Sequence, residues 1–262
     1  MSLHTAFCGA GATVVMLHSG GMSGRQWRKL AEALSSNYRV ALPDFLGSGS
    51  NPGWPDEQPF DFELDVEEIE KLLTGLRKPV HFIGHSYGGL IALTVARRHP
   101  EQVASLLLYD PVAFGVLWQA DDAEGLEDLR KVAANPIFND HERGGGREWM
   151  ENFVDYWNGP GSWQQMPEPN QQAFLKVGRK VYYEVQSLSE DRTPLEAYRV
   201  LHMPVTLIHG QKTPPAARRV QQLLATALPK ARLQELAGAG HMGPLTHGPD
   251  FQRLVEQHLS SL

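Results

Sequence analysis

The sequence has one cysteine, Cys8, in 262 residues. An internal disulfide is therefore excluded, and cysteine usage gives no reason to expect an oxidising compartment. No apolar run approaches the roughly 20 residues that a helix needs to cross a bilayer. The N-terminus lacks the basic lead, apolar stretch and small-residue cleavage site of a secretory leader. These absences lead us to expect a soluble, cytoplasmic protein with no membrane association. A basic excess is missing too. Lys and Arg total 24 against 30 Asp and Glu, a formal charge of -6 with a pI near 6.0, so the basic stripe of a nucleic-acid binder is absent. The charge is uneven, with 15 acids and 9 bases between residues 112 and 200 and a balance elsewhere. His, Cys and carboxylates are nowhere spaced as a zinc site requires, and neither metal nor cofactor is expected. With 42% hydrophobic and 21% charged residues, disorder is excluded as the main state.

What the sequence does have is alternation. Short β-rich apolar runs at 13–18, 38–42, 79–83 and 103–109 are separated by turn residues and helical patterns, as in a mostly parallel sheet flanked by helices. Ser23 and Gln26 have capping-box spacing, which predicts a helix from about Ser23 with Trp27, Leu30, Ala31 and Leu34 on one face. Phe62, Val66, Ile69, Leu72 and Leu73 predict another over 62–76. The rhythm stops at 112–200, which is rich in turns and helical segments and holds four of the six tryptophans. It resumes with strands at 205–209 and 231–236 and helices at 216–228 and 251–259. We therefore expect an α/β core, residues 1–111 and 201–262, interrupted by a helical cap, residues 112–200.

Gly84-His85-Ser86-Tyr87-Gly88 is a G-x-S-x-G match between a predicted strand and a predicted helix. Its glycines permit a tight turn that lifts a serine hydroxyl above the sheet edge, with a helix N-terminus behind it. This context makes Ser86 the candidate nucleophile; the bland alternative is a structural turn. His241, in the small-residue loop Ala237–Met242 after the last strand, is the candidate base. His18 and His85 flank the same edge but are accounted for as loop or packing residues. Two backbone N–H donors are needed for an oxyanion, one after the nucleophile and one from the loop after the first central strand. Tyr87 and Gly20 are the candidates.

These features resemble the α/β-hydrolase family. The resemblance rests on the His-x-Gly loop, the Pro-Asp-Phe-Leu-Gly-Ser-Gly turn at 43–49, the Gly-His-Ser-Tyr-Gly-Gly elbow and the late Gly-His. It implies a mainly parallel sheet with a site at its C-terminal edge. This chain departs from the pattern in three places. Few residues precede the first central strand, which shortens the usual N-terminal antiparallel hairpin. The loop reads His-Ser-Gly where His-Gly-x is commoner. And no Asp or Glu occurs from Met203 to Gln234, where many members place the acid that orients the histidine. Thr213 there reads as a helix N-cap with Pro214 in the first turn. Asp110, directly after the strand that follows the nucleophile's helix, sits where certain haloalkane dehalogenases place theirs, and is the candidate acid. Asp44 is the alternative, although its turn with Gly47 and Gly49 also explains it.

The expected activity is hydrolysis of a small, largely apolar ester or related acyl compound by Ser86, His241 and Asp110. The expected partner is a small-molecule substrate, and the oligomeric state is left open. A cofactor-free perhydrolase, a carbon–carbon bond hydrolase and a non-catalytic ligand receptor on the same fold are the alternatives. The aromatic residues of 112–200 are expected to pack a small helical core, some of them lining an acyl or alcohol pocket.

Overall fold

The computed structural model describes residues 3–261. Seven strands form one sheet: β1 (Thr5–Cys8), β2 (Ala12–Leu17), β3 (Tyr38–Pro43), β4 (Val80–His85), β5 (Val103–Tyr109), β6 (Val205–Gly210) and β7 (Ala231–Leu236). Their spatial order is β1-β3-β2-β4-β5-β6-β7. All neighbours are parallel except β1, a four-residue strand antiparallel to β3. The helices in chain order are α1 (Arg28–Leu34), α2 (Phe62–Thr74), α3 (Tyr87–Arg98), α4 (Gly115–Gln119), α5 (Ala123–Ala133), α6 (Arg147–Asn158), α7 (Ser162–Gln165), α8 (Glu168–Glu190), α9 (Pro215–Ala227), α10 (Gly243–Thr246) and α11 (Gly248–Ser260). Among the described residues, no helix is long and apolar enough to cross a membrane.

The central strands are apolar throughout because both sheet faces are covered. Alternate side chains leave each strand on opposite sides. Val15 and Leu17 of β2, and Leu106 and Leu108 of β5, join the core formed with α2, α3 and α9. Val14, Met16, Leu107 and Tyr109 turn the other way, against Leu30, Ala31 and Leu34 of α1 and Phe251, Val255 and Leu259 of α11. Shifting a central strand by one residue would exchange these two sets, so packing on both faces pins the register.

Two local expectations are corrected. The segment after Ser23 is a 3-10 turn, Gly24–Trp27, ahead of α1, and the Ser23 side chain makes no capping hydrogen bond. Gln26 does not close a capping box. Its Oε1 accepts from the Ser19 N–H at 3.0 Å and its Nε2 meets His85 Nδ1 at 2.9 Å, because unpaired polar groups at the sheet edge claim it first. Thr213 does not cap α9 either; Pro214 holds that position and the Thr213 side chain turns inward. Between β5 and β6 lie α4 to α8, with no strand. The longest, α8, reaches back to the core through Lys180 and Ser187, which bond Asp65 and the Phe62 N–H.

Candidate active site

β4 ends at His85 and α3 begins at Tyr87, so the chain reverses at a single residue. Ser86 takes φ 55° and ψ -118° there, a left-handed conformation that costs on the order of 1–3 kcal/mol at a non-glycine residue. The surroundings hold it in place. The Ser86 N–H donates to the Tyr109 carbonyl at 2.9 Å, and its own carbonyl accepts from the Gly89 N–H at 2.9 Å. The flanking glycines are required by close approach: a Cβ on Gly88 would sit 2.4 Å from the Leu17 carbonyl oxygen, and one on Gly84 2.7 Å from that of Gly88.

His241 lies in the loop between β7 and α10. Its carbonyl accepts from Nε2 of His85 at 2.8 Å, which ties the loop to the end of β4. The Nδ1–H of His241 donates to Oδ2 of Asp110 at 3.0 Å, leaving Nε2 to accept from the Ser86 hydroxyl at 3.0 Å. Asp110 is fully buried, with φ 45° at the end of β5. It also accepts from the Thr213 hydroxyl at 2.7 Å and from Nε2 of Gln221 at 3.0 Å. The Thr213 hydroxyl in turn accepts from the Gly210 N–H at 3.0 Å, which commits its proton to Asp110. The structure thus brings Ser86, His241 and Asp110 into one continuous hydrogen-bonded chain.

Burial opposes charge on both partners of the buried pair, pushing Asp110 well above the ordinary carboxylate range and His241 well below the ordinary imidazole range. The hydrogen bonds from Thr213 and Gln221 pull Asp110 back toward the carboxylate. Three donors converge on its two oxygens, and each favours the carboxylate. His241 is thereby a neutral imidazole with a fixed tautomer, able to take a proton at Nε2.

Gly20 and Tyr87 border the same cavity as Ser86. Neither backbone N–H has a hydrogen-bond partner among the described residues. The loop carrying Gly20 is braced by His18, whose Nδ1 bonds the Ser19 carbonyl at 2.8 Å and whose Nε2 accepts from the Phe45 N–H at 3.1 Å. Asp44, the alternative acid, is occupied elsewhere: its carboxylate accepts from the Gly24 and Ser50 N–H groups at 2.8 Å. It closes the turn and does not touch His241.

The cavity holds about 280 Å³ and is mainly apolar, walled by Val112, Phe138, Phe153, Trp157 and Leu188 beside Ser86. Trp157 of α6 stacks on the His241 ring, with centroids 3.9 Å apart and planes at 24°. Sequence reasoning placed Trp157 in the insertion without its contact, and missed Gln26, Gln221 and the inward role of Thr213. No local signal marks these residues, because each acts on a partner distant in sequence. Among the described residues, no three His, Cys, Asp or Glu side chains are grouped to hold a metal ion.

The family model for the alpha/beta hydrolase fold matches residues 12–248. A pimeloyl-[acyl-carrier protein] methyl ester esterase of Chromobacterium violaceum is 30% identical, aligned over 100% of this chain and 99% of that protein. A 2-hydroxymuconate semialdehyde hydrolase of a Pseudomonas species is 26% identical over 96% and 88% of the two chains. Among solved structures, a thermophilic esterase from Thermogutta terrifontis superposes with a TM-score of 0.75 at 21% identity, covering 99% of this chain and 93% of that one. The chain therefore belongs to the alpha/beta hydrolase fold family, and it is a hydrolase.

Proposed function

We propose that this hydrolase is a serine esterase that cleaves small, largely apolar esters through Ser86, His241 and Asp110. The observation that carries the proposal is the hydrogen-bonded chain from Asp110 through His241 to Ser86, opening on an apolar cavity. The relatives named for ester cleavage support the same reading.

Ser86 Oγ attacks the ester carbonyl carbon while His241 Nε2 takes the hydroxyl proton. The carbonyl oxygen becomes an oxyanion held by the N–H groups of Gly20 and Tyr87, with the N-terminus of α3 adding partial positive charge. The carbon–oxygen bond to the alcohol then breaks, and the His241 proton passes to the departing oxygen. Water enters, gives a proton to His241 and attacks the acyl-Ser86 ester; collapse returns that proton to Ser86 and frees the acid. Asp110 stabilises the transient imidazolium and does not move a proton itself. No step requires a cofactor, and the partner is a small molecule.

A fluorophosphonate probe and a graded set of p-nitrophenyl esters test the proposal. The protein should label and turn the esters over, and Ser86→Ala should lose both while keeping its melting temperature. Labelling that survives in Ser86→Ala removes Ser86 from the mechanism. A folded wild-type protein that neither labels nor hydrolyses any ester supports the ligand-receptor alternative.

A further inference from the structure

Two charged side chains border the cavity. Arg130 is exposed, whereas Glu184 on α8 is only 3% exposed. Glu184 belongs to a buried ionic group behind the pocket wall. Its Oε1 accepts from Nζ of Lys180, which also donates to Oδ2 of Asp65 at 2.9 Å. That same Asp65 oxygen accepts from the Tyr87 hydroxyl at 2.7 Å. Burial alone would lower Lys180, but Asp65 and Glu184 outweigh it and hold the ammonium above its ordinary range. A buried ion pair is a poor way to gain stability, since the desolvation cost rivals the attraction. Its presence in an otherwise apolar wall therefore calls for another reason.

The second carboxylate oxygen supplies one. Oε2 of Glu184 has no hydrogen-bond partner among the described residues, and it lies against Gly20, where a Cβ would come within 2.8 Å of it. Lys180 fixes the carboxylate, so Oε2 cannot swing away. The protein supplies this acceptor with no donor, and the cavity that Glu184 borders is the open side from which one can come. A cationic donor would crowd the Lys180 ammonium, so a neutral one fits. Because Gly20 carries one of the two N–H groups assigned to the oxyanion, the donor must sit within a few bonds of the scissile carbonyl.

We propose that Glu184 Oε2 is a specificity-determining acceptor that binds a hydroxyl on the acyl chain, so that short hydroxyacyl esters are preferred over plain alkanoates. This proposal rests on the esterase reading above. Rates of the full chain on methyl butyrate, methyl 2-hydroxybutyrate, methyl 3-hydroxybutyrate and methyl 3-methoxybutyrate, followed by pH-stat, test it. At least one hydroxy ester should exceed methyl butyrate in kcat/KM by about tenfold, the scale of one hydrogen bond to a charged acceptor. The methoxy ester, which offers no donor, should fall below methyl butyrate. Glu184→Met removes the acceptor and leaves Lys180 paired with Asp65, and should bring the hydroxy preference to within about threefold. Glu184→Gln keeps an oxygen for Lys180 and turns an amide N–H to the cavity, so the methoxy ester should gain. Thermal melts check that both variants fold, and the wild-type series decides the question without them. Equal or faster turnover of methyl butyrate than of both hydroxy esters overturns the proposal and leaves the esterase reading standing. A preference that persists in folded Glu184→Met also overturns it. If no ester is hydrolysed and Ser86 does not label, the esterase reading itself fails and takes this proposal with it.

Discussion

Asp110 accepts hydrogen bonds from three side chains in a spot that water does not reach, so each donor helps set where the carboxylate sits and whether it is charged. Asp110→Asn should lower kcat on the order of 10⁴-fold, because the amide favours the wrong histidine tautomer. Thr213→Ala should lower kcat about tenfold and destabilise the fold by about 1–3 kcal/mol, the range for losing a buried hydrogen bond to a charged group. A helix cap would cost stability alone, so unchanged kcat in a destabilised Thr213→Ala would return Thr213 to a purely structural role. Burial lowers His241, so the acid limb of kcat/KM should lie below the roughly 6.5 of a free imidazole. A limb at or above that value, with chemistry rate-limiting, would mean that water reaches the ring. Ser86 and His241 were legible in the sequence because each lies in a short motif with local strand-and-glycine context. Thr213 was not, since its partner is 103 positions away and its local setting, before two prolines, reads equally well as a cap.

At the scale of elements, α6 delivers Trp157 onto the ring of His241 and so couples the helical insertion to the chemistry. An aromatic stack is worth about 0.5–1.5 kcal/mol. Trp157→Ala should therefore cut kcat/KM by about tenfold and, by admitting water to His241, move the acid limb upward. Loss of activity with an unmoved limb would make Trp157 only a pocket wall. With wild type, kcat/KM should rise from acetate to medium-chain esters by up to about fourfold per methylene, equivalent to about 0.8 kcal/mol, until the cavity fills. A steady fall from acetate onward would mean that the aromatic side chains serve the insertion's own packing. The strands were legible because parallel strands covered on both faces read as apolar runs. The 23-residue α8 was not, because its buried face carries Gln171, Lys180 and Glu184. Gln171 bonds the Trp163 and Met166 carbonyls, and Lys180 joins Asp65 to Glu184, contacts that no periodicity announces.

At the scale of the whole molecule, burial disfavours the charged form of His18, His85, His241 and His258, all of them buried. Burial is the leading cause in each, and it pushes His18 and His258 down to about 4 and His85 and His241 well below the ordinary value. A histidine whose pKa is lower in the folded chain than in the unfolded one binds its proton first in the unfolded state. Stability then falls as pH drops below about 6.5 and keeps falling until the folded pKa is reached. For a group moved from 6.5 to about 4, the loss between pH 7.5 and 5 is about 2 kcal/mol. Asp110 and Glu184, whose pKa values are raised by burial, take up protons in the folded state and offset part of this. The histidines outnumber them, so urea unfolding should show a clearly lower midpoint at pH 5 than at pH 7.5. His258 isolates the effect. It bridges Thr206 and Ser105 at 2.8 Å each, near the starts of β6 and β5, at the opposite end of these strands from Asp110. His258→Gln should be less stable than wild type at pH 7.5, where its ring bridge is lost, yet should lose about 2 kcal/mol less on going to pH 5. Parallel pH dependences for wild type and His258→Gln would show that this ring titrates alike in both states, and the acid sensitivity would then belong to the site histidines alone.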